Sequence, residues 1–189
     1  MSGPRILIDT CVLYPTVMRE VVLGVAATGA FEPIWSSRIL EEWARAAIKL
    51  GPEGEAQARA EIAMLRANWP TSERPAAPGL AARLWLPDAD DVHVLAVAVD
   101  AGADIIMTLN AKDFPRGTLA EEGLERVDPD SYLMRLWPEH DTAISAVSEQ
   151  ILKAAQQMSG RDWDMRGLMK KARLPRLAKA LSSQMNALN

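Results

Sequence analysis

Leu86 to Pro115, LPDADDVHVLAVAVDAGADIIMTLNAKDFP, reads as one helix-plus-strand unit with acidic or amide side chains at both edges. Asp88, Asp90 and Asp91 precede apolar residues at helical spacing, namely Val92, Leu95, Ala96 and Val99. Carboxylates at a helix N-terminus satisfy free N–H groups and face the positive end of the helix dipole. Gly102 predicts the end of that helix, and Ile105, Ile106 and Met107 make the continuous apolar run of a strand buried on both faces. Thr108, Leu109, Asn110 and Asp113 then fall just past the strand's C-terminal end. Open α/β sheets bind their ligands at that edge.

A second strand end carries a carboxylate at the N-terminus, where Arg5-Ile6-Leu7-Ile8-Asp9-Thr10 is a short apolar run that stops on Asp9 rather than on a turn glycine. A carboxylate in that position has few capping uses, which marks Asp9 as functional. The helical stretch from about Val12 to Thr28 supplies the crossover that a parallel neighbour needs, and Glu32 to Trp35 is the next strand. Ser36 or Ser37 caps a helix carrying Ile39, Leu40, Trp43, Ala44 and Ala47, with Glu41 and Glu42 on its first turns. Glu53 to Asn68 reads as an Ala-rich helix, and Trp69 to Pro78, with Pro70, Pro75 and Pro78, as a loop bordering the groove. Beyond Val127, four short helices are expected, Asp130 to Trp137, Thr142 to Met158, Met165 to Ala172 and Arg176 to Ala187. Pro138, Gly160 and Pro175 separate them, and His140 falls near a helix start. The fold class is α/β, a mainly parallel twisted sheet flanked by helices, in a domain of residues 1–130 followed by a helical extension over 131–189.

Charge follows the same division. Of 21 Lys and Arg and 25 Asp and Glu, residues 1–150 hold 13 and 23, a net of −10, whereas residues 151–189 hold 8 and 2, a net of +6. Arg161, Arg166, Lys170, Lys171, Arg173, Arg176 and Lys179 make the extension either a phosphate-contacting arm or a solvated face for an acidic partner. No apolar run reaches the roughly 20 residues that span a bilayer, no leader pattern precedes the first strand, and the lone Cys11 makes no internal disulfide. A cytoplasmic protein is expected. Six dispersed tryptophans suggest packing rather than a stacking platform.

Four blocks in order, ILIDTCVLYP, SSRILEEW, LPDADDVHVLAVA and IIMTLNAKDFP, resemble the PIN-domain nucleases, and within them the VapC-like ribonuclease toxins of type II toxin–antitoxin pairs. The resemblance covers roughly residues 5–130. It implies a three-layer PIN fold, metal-dependent endoribonuclease activity on an RNA substrate, a homodimer and a cognate antitoxin whose segment enters the acidic groove. Carried over by position, the family's acidic set falls on Asp9, Glu42, Asp91 and the Asn110/Asp113 pair. Asn110 stands where many members have Asp, and Cys11 where Asn commonly follows the first Asp and Thr. The helices over Val12–Thr28 and Ile39–Leu50 are the places to look for the dimer contact.

Converging carboxylates repel one another unless a divalent cation neutralises them, and hard oxygen ligands select Mg²⁺ or Mn²⁺. On this reading Asp9 and Asp91 are direct metal ligands, and Glu42 is a ligand or a general base through water. Asp113 with Asn110 serves a second ion, and Thr10 and Thr108 are supporting hydroxyls. Asp88 suits either a supporting or substrate-contacting role or, like Asp90, a plain helix cap, Glu41 a solvated helix face, and His93 either a buried histidine or a substrate contact. Rival classes are a degenerate binding module that has lost catalysis through Asn110, an aspartyl phosphotransferase and a dinucleotide-binding oxidoreductase. Cys11, two residues after Asp9, argues against the phosphotransferase, which needs Asp there. Thr10 to Pro15 lacks the glycines that admit a pyrophosphate.

Overall fold

The computed structural model describes residues 3–187. In chain order the elements are β1 (Arg5–Ile8), α1 (Thr10–Leu13), α2 (Thr16–Ala26), β2 (Glu32–Ser36), α3 (Ser37–Ala47), α4 (Gly54–Asn68), β3 (Glu73–Arg74) and α5 (Pro78–Ala81). They continue with α6 (Val92–Asp100), β4 (Ile105–Met107), α7 (Arg116–Glu121), β5 (Glu125–Val127), α8 (Pro129–Ser159), α9 (Met165–Lys171) and α10 (Pro175–Ala187). No helix among the described residues is long and apolar enough to cross a membrane.

The strands form a five-stranded sheet in the order β3-β2-β1-β4-β5, with every neighbouring pair parallel. Helices flank it, as expected of a PIN-like α/β fold. Ile6, Leu7 and Ile8 of β1 are fully buried, as are Ile34 and Trp35 of β2 and Ile106 and Met107 of β4. Each such side chain contributes roughly 1.5–3 kcal/mol of transfer free energy, so the three apolar strands take the centre and the charged β3 and β5 the edges. Asp104 locks the register: its carboxylate accepts from Arg5 N at 2.8 Å, while its own N–H donates to Arg5 O at 2.8 Å. Ile8 therefore pairs with Met107. The next residues along each strand, Asp9 and Thr108, come level.

Several elements depart from the sequence expectation. The helix expected over Val12–Thr28 is two helices, because Pro15 lacks the N–H that a continuous helix needs. The expected loop Trp69–Pro78 contains β3, whose two residues pair with Trp35 and Ser36. A two-residue charged edge strand leaves no apolar run to read. The break expected near Pro138 falls two residues later: His140 is non-helical (φ −128°, ψ 15°), so α8 is two helical stretches meeting at a kink, and Asp141 Oδ1 accepts from Thr142 N at 2.6 Å where the second begins.

The chain divides into two compact units, one of the residues up to Tyr14 with Phe31–Val127, the other of Pro15–Ala30 with the residues from Asp128 on. The first holds the whole sheet. In the second, α2 packs on α8, and α9 and α10 pack together. Asp130 of α8 is buried and accepts from the N–H groups of Arg176 at 2.9 Å and Leu177 at 3.0 Å, which satisfies free donors at the start of α10. Met18, Val21, Val22 and Val25 of α2 are buried within the chain itself, so the apolar face of this helix is not left for a second copy.

A Cβ on Gly24 would lie 2.6 Å from Val147 Cγ1, a contact that the stiff valine side chain does not relieve by rotation. Gly24→Val is expected to cost about 1–3 kcal/mol, seen as a fall of several degrees in the thermal midpoint. Val147→Ala in the same chain should recover part of that loss. Additive effects of the two substitutions would show that α2 and α8 do not meet there.

Candidate functional site

Strand order reverses direction between β1 and β4. The chain builds outward from β1 through β2 to β3, then restarts on the other side with β4 and β5. Loops leaving the C-terminal ends of β1 and β4 diverge at such a switch point and open a crevice between them. Asp9 follows β1, and Thr108, Asn110 and Asp113 follow β4. Asp88 and Asp91 come from the turn that starts α6, and Glu42 from α3. The sheet register and the crevice thus gather residues separated by up to about a hundred positions.

Asp9 is buried and has both oxygens engaged. Oδ1 accepts from Thr10 N at 2.7 Å, and Oδ2 from Thr108 Oγ1 at 2.6 Å and Cys11 Sγ at 3.0 Å. It is therefore also the N-cap of α1, one of the few capping uses open to a carboxylate that ends a strand. Thr108 Oγ1 accepts in turn from Asn110 N at 2.9 Å, so one hydroxyl holds Asp9 and shapes the loop after β4. Cys11 fills the place of the family's Asn with bonds of its own, since its sulfur also accepts from Leu109 N at 3.2 Å. Burial, then the neighbouring Asp9 charge, push its thiol up to about 12. It stays protonated and serves as a donor.

Glu42 Oε2 accepts from Thr10 Oγ1 at 3.0 Å, and Oε1 from Arg38 Nε at 3.1 Å. His93 Nε2 lies 3.0 Å from the same Oε1. Burial raises the Glu42 carboxyl, yet His93, Thr10 and Arg38 together outweigh it and hold the group below its ordinary value. Glu41 turns away, to Arg45 and Arg59. Arg38, one helical turn before Glu42, is a site residue that the motif reading missed. Its i, i+4 spacing to Glu42 was the available signal.

One carboxylate oxygen from each of Asp88, Asp91 and Asp113 lies within 4.8 Å of the others. Asp88 caps the turn through Asp90 N at 2.9 Å and also joins this cluster, a place the sequence pattern did not assign it. Asn110 Nδ2 donates to Asp91 Oδ2 at 3.1 Å, and Asn110 Oδ1 accepts from Asp113 N at 3.4 Å. Asn110 thus orients the Asp91 carboxylate and ties the backbone of Asp113 into the same turn. Asp91 bears the crowding: burial first, then the charges of Asp9, Asp88, Asp113 and Glu42, raise its carboxyl to about 6. A set made only of carboxylate oxygens, close together and mutually repelling, fits a hard divalent cation.

The PIN domain family model matches residues 5–112. The chain belongs to the PIN domain family. No curated protein and no solved structure gives a significant match. PIN domains are in general metal-dependent nucleases, and in this PIN domain the matched span contains Asp9, Glu42, Asp88, Asp91 and Asn110. Asp113 lies one residue beyond it.

The raised carboxyl of Asp91 has a consequence for stability. In the folded PIN domain it binds a proton that the unfolded chain has released, so between about 4 and 6 stability falls as pH rises. Above that window the cost is fully present. In EDTA, Asp91→Asn is expected to raise the thermal midpoint at pH 7 by about 2–4 °C, equivalent to about 1 kcal/mol after allowance for solvent screening. The gain should vanish near pH 4. A midpoint at pH 7 unchanged by Asp91→Asn would mean that the carboxylates do not repel there.

Proposed function

We propose that the protein is a metal-dependent endoribonuclease. The observation that carries the reading is the carboxylate set at the switch point, with Asp88, Asp91 and Asp113 grouped and Asp9 close enough for its charge to raise Asp91. Asp88, Asp91, Asp113 and Asp9 would hold Mg²⁺ or Mn²⁺. Bound there, such an ion supplies charge neutralisation for a phosphodiester and a more acidic water for its hydrolysis. The chain's own residues set the stage for that chemistry. Thr108, Thr10 and Cys11 fix the Asp9 carboxylate by donating to it, and Asn110 fixes Asp91. Glu42, ionised and held by Arg38 and Thr10, is a weak base, which suits positioning a water better than removing its proton.

The finer reading is that of a VapC-like toxin in a toxin–antitoxin pair, cytoplasmic, homodimeric and held by a cognate antitoxin. Its support is the resemblance of the four sequence blocks. Ile48 and Leu50, exposed beyond the end of α3, are the apolar residues available to a dimer contact in the region expected for one. Within the proposed division at residue 130, the basic helices of the extension offer either phosphate contacts or a face for solvent or an acidic partner, on the support of their net positive charge. A degenerate binding module is disfavoured because Asp88, Asp91 and Asp113 form a carboxylate triad that does not need a fourth acid at Asn110.

Purified full-length protein is to be incubated with a labelled RNA pool and matched single-stranded DNA in Mg²⁺ or Mn²⁺, with EDTA as control. RNA cleavage that EDTA abolishes is expected, and Asp9→Asn or Asp91→Asn should lower it roughly 10²-fold or more, the scale for loss of a charge-stabilising group. Full cleavage by both variants would remove the carboxylate site from the reaction. Absence of cleavage with either metal would instead favour the binding module.

A further inference from the structure

In the unit that holds the sheet, α5, the stretch Leu84–Pro87 and the start of α6 wall a hollow of about 430 Å³. Trp85 stands on its wall with 65% of its surface exposed, whereas Trp35 and Trp43 are buried to 0% and 2%. An indole left in water forgoes the burial that its large apolar surface offers, and a lone exposed tryptophan beside a cavity is placed to receive a flat partner. Arg38 and His93 line the same hollow. Both also reach the carboxylate site, Arg38 through its bond to Glu42 and His93 through its contact with the same carboxylate. Arg38 additionally donates to Asp90 O at 3.2 Å, which pins its guanidinium between the hollow and the turn carrying Asp88 and Asp91. His93 Nε2 faces Glu42 Oε1 at 3.0 Å and is buried, so His93 shapes the wall of the hollow from within.

An exposed aromatic face and a planar cation that also bonds a carboxylate of the proposed phosphodiester-cleaving centre match the chemistry of a nucleotide. The aromatic face suits a base and the guanidinium a phosphate. We propose that this hollow is a nucleobase subsite, in which one unpaired base of an RNA strand stacks on Trp85 while Arg38 takes the adjoining phosphate and leads the strand to the carboxylates. Stacking tolerates any base, so the subsite selects single strands over duplex rather than one sequence. It rests on the nuclease reading above, extending it from the reacting phosphate to the neighbouring nucleotide.

The test compares wild type, Trp85→Ala and Trp85→Phe, all full length, for binding of a fluorescein-labelled single-stranded oligoribonucleotide by anisotropy in Ca²⁺ and for its cleavage in Mn²⁺. Trp85 is exposed, so both variants should keep the wild-type thermal midpoint. Trp85→Ala is expected to weaken binding about tenfold or more, and Trp85→Phe to retain most of it. The decisive readout is an oligonucleotide series with one abasic nucleotide at successive positions. One position should weaken binding to wild type and leave binding to Trp85→Ala unchanged, a coupling that a structural effect of the substitution does not produce. Wild-type binding and cleavage by Trp85→Ala would overturn the subsite and leave the nuclease reading standing. So would an abasic penalty equal in both proteins. Failure of the wild type itself to bind or cut RNA would overturn both together.

Discussion

Thr108 Oγ1 donates to Asp9 Oδ2 at 2.6 Å across the seam where β4 lies beside β1. That bond is possible only because the two strands are parallel, adjacent and in a register that brings Ile8 level with Met107. Parallel neighbours point their C-terminal ends the same way, so the loops leaving both strands emerge on one edge of the sheet. Everything polar in the site hangs from that arrangement. Asp104 and Arg5 set the register at the other end of the pair, far from any chemistry. A shift of one residue there would carry Asp9 to the opposite face of the sheet.

The same geometry explains why the site is electrostatically uncomfortable. Several carboxylates converge on the crevice, and hydrogen bonds relieve some more than others. Glu42 has donors enough to fall below its ordinary value despite burial. Asp91 has one amide donor and four acidic neighbours, and rises to about 6. A fold that only needed stability would replace Asp91 with a neutral residue. Retaining a carboxylate in that position makes sense if its charge is balanced when the protein works, and a hard cation is the partner that acid-only oxygen donors take.

Much of this was legible in the residues. The runs Ile6–Ile8 and Ile105–Met107 are apolar because central strands are buried on both faces, and Ser36 announces α3 because its oxygen caps Ile39 N at 3.3 Å. The short charged strands Glu73–Arg74 and Glu125–Val127 were not legible, since at a sheet edge backbone pairing alone holds them and their side chains carry no period. Pro15 separates α1 from α2 inside a stretch whose apolar pattern reads as one helix, whereas the break read at Pro138 is met at the non-helical His140 two residues later. Cys11 looked like the loss of a polar family position, but a buried thiol next to a carboxylate donates as an amide would.

By itself the sequence determined the fold class, the family and the acid residues at the ends of the strands and at the start of α6, because periodicity and capping chemistry act over a few neighbouring positions. Tertiary structure decided which of those acids form a group. Asp88, Asp91 and Asp113 share one cluster, Asp9 is held beside it by Thr108, and Glu41 is sent to Arg59 while its neighbour Glu42 faces the crevice. It also decided that Arg38, unremarked in any motif, bonds Glu42 and lines a hollow that Trp85 helps to wall. The reason is that distances between side chains on different elements depend on strand order and register, and those are settled by packing the whole sheet rather than by any local stretch of chain.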